Sequence, residues 1–437
     1  MDKCLIFSNL VGTKQLVTMT KIKPLIQLQE LIATALSGQT KLSKSFQKFF
    51  TETMKLFLTS KSRLNFTQMA REGQMCESSY RQNYKKHFDW LAFNGQFVGE
   101  RTGNRIAIAI DPSYISKSGK KTPGIGYFWS GCASAMKRGL EILGIALVDA
   151  DEKTAIPLKA EQTFTEKVRG PKLKCTKGMK DPDSLTGWYL RMLHHNRKPL
   201  LSICRRIVAD AYFSKESFVT GAKELGFDVI SRFRDDVRLQ YLYRGPRQKK
   251  KGRPQKFAGK VKLGELDMSV FKEEYSYEGG LVFKLYTADV WAVSLNREVR
   301  IVIVDYIDPD KKRQTRKVFF STDLSLSARD IFDIYRTRFQ LEFVFRDAKQ
   351  FTGLTHCQAR NKEALSFAFN MSLASVNVAR AFARQNGYDL SIGATKTLLH
   401  NAAMLERLFS MSGIRPNLKI NNTDFKELLF YGVRAAA

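Results

Sequence analysis

The stretch Arg105-Ile-Ala-Ile-Ala-Ile-Asp-Pro-Ser-Tyr114 decides the fold. Five apolar residues in a row, Ile106 to Ile110, fit a strand buried on both faces. Asp111 then interrupts the run, and its place predicts the end of that strand. Taken alone, an aspartate before Pro112 fits a loop start equally well, since Asp-Pro is common at turns.

The pattern repeats further along. Ile203 to Ala209 reads as a strand that ends at Asp210. Between the two aspartates lie strand-like segments at Ile125–Ala133 and Leu140–Val148, then the polar turn DADEKTA, then a helix at Asp183–Asn196. After Asp210 come a helix at Ser214–Leu225 and a strand at Phe227–Phe233. The order β-β-β-α-β-α-β predicts an α/β fold whose mixed sheet carries helices and has an aspartate at two strand ends. Asp149, Asp151, Asp235 and Asp236 have no such placement and read as surface acids.

The flanks differ in character. Residues 1–100 carry helical spacing, as in LIQLQELIATAL. Residues 65–90 fit a helix-turn-helix: Thr67–Glu72, a turn at Gly73, and a basic second helix at Glu77–Phe88 with Arg81 and Lys85. A plain helical hairpin has the same pattern. Residues 234–325 alternate like strands, as in REVRIVIVDYI, and read as a β-rich insertion. Near its start, residues 244–256 (RGPRQKKKGRPQK) hold seven basic residues and no acid, including Lys249, Lys250, Lys251 and Arg253. The Gly-Arg-Pro core is similar to an AT-hook, which enters narrow minor grooves. A solvated linker touching phosphates without sequence choice fits slightly better. Residues 326–380 return to helix, and residues 381–437 form a tail.

Charge narrows the partners. The 437 residues hold 72 Lys+Arg against 42 Asp+Glu, a net charge of +30. Such an excess repels itself unless a polyanion offsets it, and nucleic acid gains by releasing counterions. The 43% of hydrophobic residues supports a sizeable core. No apolar run reaches ~18 residues, so no membrane span is expected. The N-terminal residues lack a signal-peptide apolar block. Six scattered cysteines without a CxxC pair point to a reduced compartment and to no zinc site. The expected location is the bacterial cytoplasm. P-loop, GxSxG and HExxH patterns are absent, and no small-molecule substrate is expected.

A helix predicted at Ser327–Gln350 supplies the third acid. Tyr335, Arg338, Glu342 and Lys349 share an arc of roughly 60°, and Arg346 falls beside them at about +20°. The rest of that helix is largely apolar, so the polar stripe should face something polar inside the protein. By itself the stripe fits equally a solvated face of Arg and Glu pairs. Joined to Asp111 and Asp210, Glu342 completes three carboxylates, a donor set suited to Mg²⁺.

The pattern Tyr335-x2-Arg338-x3-Glu342-x6-Lys349 resembles the YREK signature of bacterial insertion-sequence transposases of the IS-four group, relatives of the Tn-five transposase. IAIDPSY and RRIVADAYFSK are similar to that family's two aspartate motifs. The resemblance covers residues 101–380. It implies an RNase H-like core at 101–233 and 326–380, with helices on both faces of a mixed sheet and a β-rich insertion at 234–325. It implies that Asp111, Asp210 and Glu342 are catalytic and hold two Mg²⁺, replaceable by Mn²⁺, with Asp111 bridging both. Tyr335, Arg338 and Lys349 would contact DNA phosphates, and Trp291 would sit by a flipped base. A core aromatic needs no such role. The implied reaction is cleavage of element ends followed by transfer of the 3′-OH to target DNA, with hairpin intermediates. The implied partners are double-stranded DNA and a second copy of the chain, with 381–437 helping to dimerise. A catalytically silent DNA-binding regulator is the main rival, and loss of any of the three acids would favour it. Another RNase H-like nuclease is the second, disfavoured by the stripe and the insertion.

Overall fold

The computed structural model describes residues 22–39, 42–99, 105–164, 181–246, 254–278, 281–307, 314–412 and 423–434. The basic-loop residues Lys249, Lys250, Lys251 and Arg253 lie outside them.

Five helices come first: α1 (Lys23–Ser37), α2 (Lys44–Thr59), α3 (Phe66–Glu72), α4 (Glu77–Asn83) and α5 (Trp90–Gly95). Ser43 and Asn65 begin α2 and α3 by accepting the N–H of the third residue on, the usual role of a short polar N-cap. The expected second helix of the pair at 65–90 is corrected. It stops at Asn83, not Phe88. Tyr84 and Phe88 turn inward there and pack with Phe49, Phe50 and Trp90, so burial of aromatic rings overrides helical continuation.

The decisive stretch forms β1 (Ile106–Ser116), which runs five residues beyond Asp111. The predicted strand end at Asp111 is therefore wrong. Proline fixes an extended φ, and β5 has left that edge of β1 before Pro112 is reached. Next come β2 (Gly126–Ser130), β3 (Ala135–Asp149) and β4 (Thr154–Thr163). β4 was not foreseen; the polar turn before it leads straight back into the sheet. Asp149 is buried, not a surface acid: its carboxylate accepts the N–H groups of Asp151 and Glu152 and shapes that turn.

Helices α6 (Leu185–His195) and α7 (Arg197–Ile203) precede β5 (Arg206–Val208), α8 (Glu216–Glu224) and β6 (Asp228–Arg232). The strand expected from Ile203 shrinks to three residues because α7 occupies its start. β1, β5 and β6 are mutually parallel, and β3 is antiparallel to β1. The sheet does not stop at β6. The strands β7 (Leu239–Leu242), β8 (Phe257–Lys260), β9 (Lys272–Glu278), β10 (Leu281–Ala292), β11 (Arg297–Ile307) and β12 (Gln314–Ser321) extend it, with β12 antiparallel to β6. Among the described residues the result is one mixed sheet of 12 strands.

The single helix expected at Ser327–Gln350 is two: α9 (Ala328–Thr337) and α10 (Gln340–Gln350). At the step, Phe339, Leu341 and Glu342 donate to carbonyls three residues back, a tight turn in place of the α ladder. α11 (Lys362–Gln385), α12 (Ile392–Ser412) and α13 (Thr423–Phe430) follow.

Helices cover both faces. Alternation along β1 sends Ala107, Ala109 and Ile115 toward one apolar core, with Val344 and Phe345 of α10 and much of α1, α2 and α11. Ile106, Ile108 and Ile110 point to the other, with Leu190 of α6 and Phe218 of α8. Asp111 and Ser113 share the first parity, so they lie on the face that α10 covers.

Side chains seal the free edge of β4. Asn370 of α11 both donates to the carbonyl and accepts from the N–H of Ala160 (2.9 and 2.7 Å). Asn377 and Arg380 donate to the carbonyls of Pro157 and Ala155, and Asn94 of α5 to that of Leu158. Buried backbone that has no neighbouring strand thus finds partners all the same.

Candidate active site

Register brings the two aspartates together. Ile108 and Ala109 of β1 pair in parallel with Ile207 and Val208 of β5. Carried two residues on, the same register sets Asp210 beside Asp111. Asp210 caps a short turn by accepting the Tyr212 N–H at 3.0 Å, and its own carbonyl accepts the Ser231 hydroxyl at 2.8 Å. Its backbone is therefore pinned to β6 from below.

Glu342 arrives from above. α10 lies against β3 at Gly144, the residue opposite Asp111. A Cβ at Gly144 would enter the Phe345 ring. The missing side chain is what lets α10, and Glu342 with it, approach the strand pair.

Arg338 joins the acids. Its guanidinium donates to Asp111 at 3.4 Å and to Glu342 at 3.1 Å. The Tyr335 ring lies beside it, 5.8 Å from the guanidinium carbon. Among the described residues the Nε of Arg338 is buried without a hydrogen-bond partner, as is that of Arg232 on β6. Lys349 donates to the buried Ser113 hydroxyl at 3.0 Å, one strand repeat beyond Asp111.

Burial dominates the electrostatics. It pushes the Asp111 carboxyl up to about 7, with Asp210, Glu342 and Glu141 adding to the rise and Arg338 opposing it. Burial also holds the Lys349 ammonium below the ordinary lysine range. A carboxyl of this kind, in a cleft with two other acids, is charged at neutral pH only at a cost. A cation placed among the three would relieve it.

The donor set suits a hard divalent ion in type: three carboxylates, all oxygen donors. Among the described residues, no three acid, His or Cys ligands stand close enough together to grip an ion as they are. Arg338 holds that place between Asp111 and Glu342 instead.

The other expected residues divide. Tyr335, Arg338, Glu342 and Lys349 face β1 and the aspartates. Arg346 does not: it pairs with Asp347 at 3.1 Å, lies over Phe343, and is 63% exposed. It stands on the outer rim of the arc. Trp291 is on β10 near its turn into β11, and Lys256 covers its ring at 3.2 Å. None of the contacts described for Trp291 is with the three acids. Arg81 pairs with Glu77 at 2.8 Å, and Lys85 is exposed beyond the end of α4. Sequence reading missed Ser113, Arg232 and Glu141. Ser113 was within reach, since it is two residues past Asp111 on the same strand face. Glu141 was not: its carboxylate is buried on β3 and accepts the Tyr189 hydroxyl at 2.8 Å, and nothing in its neighbours announces that.

Two family models match the chain. Residues 89–271 match that of the DDE superfamily endonuclease, and residues 188–378 match the transposase DDE domain. The first span holds Asp111 and Asp210, the second Asp210 and Glu342. Together the two matches support a DDE transposase. Comparison with the curated proteins gives no match.

The mixed sheet with its many helices is consistent with the RNase H-like domain of that class. DDE domains imply a nuclease-type enzyme that acts on DNA, and they normally use divalent metal ions. The four described cysteines are free. No described helix is long and apolar enough to cross a membrane.

Proposed function

We propose that the chain is a cut-and-paste transposase of the IS-four group, in which Asp111, Asp210 and Glu342 form the catalytic triad. One observation carries this reading: a single buried guanidinium, Arg338, is held between Asp111 and Glu342 while register sets Asp210 alongside. Asp111 of a central strand and Glu342 of a covering helix share that guanidinium, and Asp210 follows the strand parallel to the one that carries Asp111.

The three carboxylates would hold two Mg²⁺ ions, or Mn²⁺ in their place. When bound, the ions activate an attacking oxygen and stabilise a leaving one. The chain's own groups do the rest. Arg338, freed from Asp111 and Glu342, offers its forked donors to a phosphate next to the cut bond. Lys349 adds a second cation above Ser113, and Tyr335 stacks beside the sugar-phosphate chain. The reaction is hydrolysis at the element ends, then attack of the freed 3′-OH on the opposite strand to give a hairpin; water then opens the hairpin, and the 3′-OH released again attacks target DNA. Residues 1–100 recognise the terminal repeats, 101–233 with 326–380 carry the chemistry, 234–325 and its basic loop contact DNA, and 381–437 join two copies on paired ends.

The test is direct. The purified chain is incubated with labelled duplexes from the ends of its own element, with Mg²⁺, Mn²⁺ or EDTA, beside Glu342→Gln. Metal-dependent cutting at the end, lost in the variant while binding persists, is expected. Cutting that survives the substitution removes Glu342 from the triad. End binding without cutting in any metal makes the chain a silent regulator.

A further inference from the structure

A second charged place lies farther along β1. Past Ser113 the strand ends at Ser116, and the chain enters a cavity of about 680 Å³. Four cations line it: Lys117, Arg138 of β3, Arg63 from the segment before α3, and Arg360 just before α11. No carboxylate lines it among the described residues, and the hydroxyls of Ser118 and Thr122 complete a polar wall. Arg63 and Arg360 have no ion pair among the described residues. In a chain with 42 acids, an unrelieved group of four cations repels itself and favours an anion.

The cavity is built, not incidental. The Leu64 N–H donates to His356 Nδ1 at 3.2 Å, which ties Arg63 to the loop that carries Arg360. Lys117 donates to the Cys357 carbonyl, and Arg138 to the Ser118 carbonyl at 3.0 Å. Four separate segments of the chain are therefore bonded into one wall.

Aromatic rings stand beside it. In the β2–β3 hairpin Tyr127 is opposite Arg138, and Trp129 is opposite Met136. Cross-strand partners and next-but-one neighbours share a face, so all four project to the side from which Arg138 reaches the cavity. Tyr127 is 67% and Trp129 59% exposed, both uncommon for such large rings. Cations that track a backbone, with aromatic rings alongside, are the chemistry of single-strand binding, because every unpaired base offers a face for stacking.

We propose that this cavity and hairpin face hold an unpaired stretch of DNA strand leading away from the carboxylates. The phosphates lie on Arg63, Lys117, Arg138 and Arg360, and a base stacks on Trp129. Asp111 and Ser116 are five residues apart on one strand, or about 17 Å. That equals roughly five base steps of duplex rise, so the held stretch starts close to the cut bond. The proposal rests on the transposase reading for its source of unpaired DNA.

The test uses full-length protein and a labelled single-stranded oligonucleotide of arbitrary sequence, titrated over about 50 to 200 mM salt, with a duplex in parallel. Arg63→Ala/Arg360→Ala should make the log–log salt slope for the single strand shallower by about 1.4, two lost phosphate contacts. Trp129→Ala should weaken single-strand binding roughly tenfold, leave the slope unchanged, and barely alter duplex binding. Arg384→Ala serves as the control. It removes an exposed cation at the far end of α11, about 33 Å along the axis from Lys362, and should change nothing. Unchanged melting temperatures show that the variants fold. A slope unmoved by the arginine pair, or single-strand affinity unmoved by Trp129→Ala, overturns the proposal. Loss confined to the duplex overturns it too. If wild type cuts element ends with metal while these variants bind as it does, only the cavity proposal fails. If wild type binds neither DNA, the transposase reading fails with it.

Discussion

The two ends of β1 are opposites. At Asp111, two acids share one guanidinium and a third, Asp210, stands alongside; five residues on, four cations line a cavity with no acid among the described residues. Both places are charged and walled by bonded backbone, and both are electrically incomplete. The first lacks positive charge and the second lacks negative charge. One strand therefore passes from a cluster of acids to a cluster of cations within five residues, the order that the proposed function and the proposed strand path both require.

Asp210→Asn is expected to break the pair most sharply. Cleavage should fall on the order of a thousandfold or more, the loss of several kcal/mol of metal-held transition state, while the salt slope for DNA binding stays put. A binding loss equal to the cleavage loss would mean that the two ends are not separable.

Asp111→Asn sharpens it in the absence of metal. The Asp111 carboxyl is raised to about 7 by burial, with its acidic neighbours adding to the rise. Between the ordinary carboxylate range near 4 and about 7, the folded state binds more protons than the unfolded one, so stability falls as pH rises. The contribution is fully present below the unfolded pKa and lost by the folded one. Thermal melts of wild type without metal should therefore decline from about pH 4 to 7 more than those of Asp111→Asn, and the variant should be the more stable by a few kcal/mol above that window. Parallel pH curves would show that Arg338 already neutralises the site.

Gly144→Val addresses the frame that holds the acids. A side chain there meets Phe345 and lifts α10. Denaturant melts should show a loss of about 1–3 kcal/mol. Cleavage should drop further than stability explains, since Glu342 rides on α10, while single-strand binding at the far end of β1 should hold. Ser113→Ala is the mildest change. Lys349 loses one hydrogen bond, worth about 1 kcal/mol, and cleavage should slow several-fold with little effect on melting.

Much of this was legible in the sequence, and the losses have physical causes. The apolar run before Asp111 and the one before Asp210 marked the central strands, because such strands are apolar on both faces. The arc through Tyr335, Arg338, Glu342 and Lys349 was drawn on a straight helix, yet it survived the step at Phe339, since residues 338 and 339 keep helical dihedrals. Arg346 escaped because it lay at the arc's solvent edge. The length of β1 was misjudged because Asp-Pro is a turn signal only where no strand partner overrides it, and β3 does. β4 was missed because half of what holds it is not a strand. Its outer backbone bonds to Asn370, Asn377 and Arg380, spread over a helix two hundred residues later, and no local pattern reports that. The basic cavity draws on four separate segments, so no single window of sequence contains it.

The sealed edge of β4 also gives the sheet a direction of growth. With Asn94, Asn370 and Asn377 standing in for a neighbouring strand, no further strand can be laid on that side without first evicting α11. Among the described residues the opposite margin shows no such stopper, and there β12, β11, β10, β7 and β8 are added one after another. The fold is in effect a one-ended polymer, closed beside β4 and extensible beyond β6, so new pieces attach to it without reshaping the strands that carry Asp111 and Asp210.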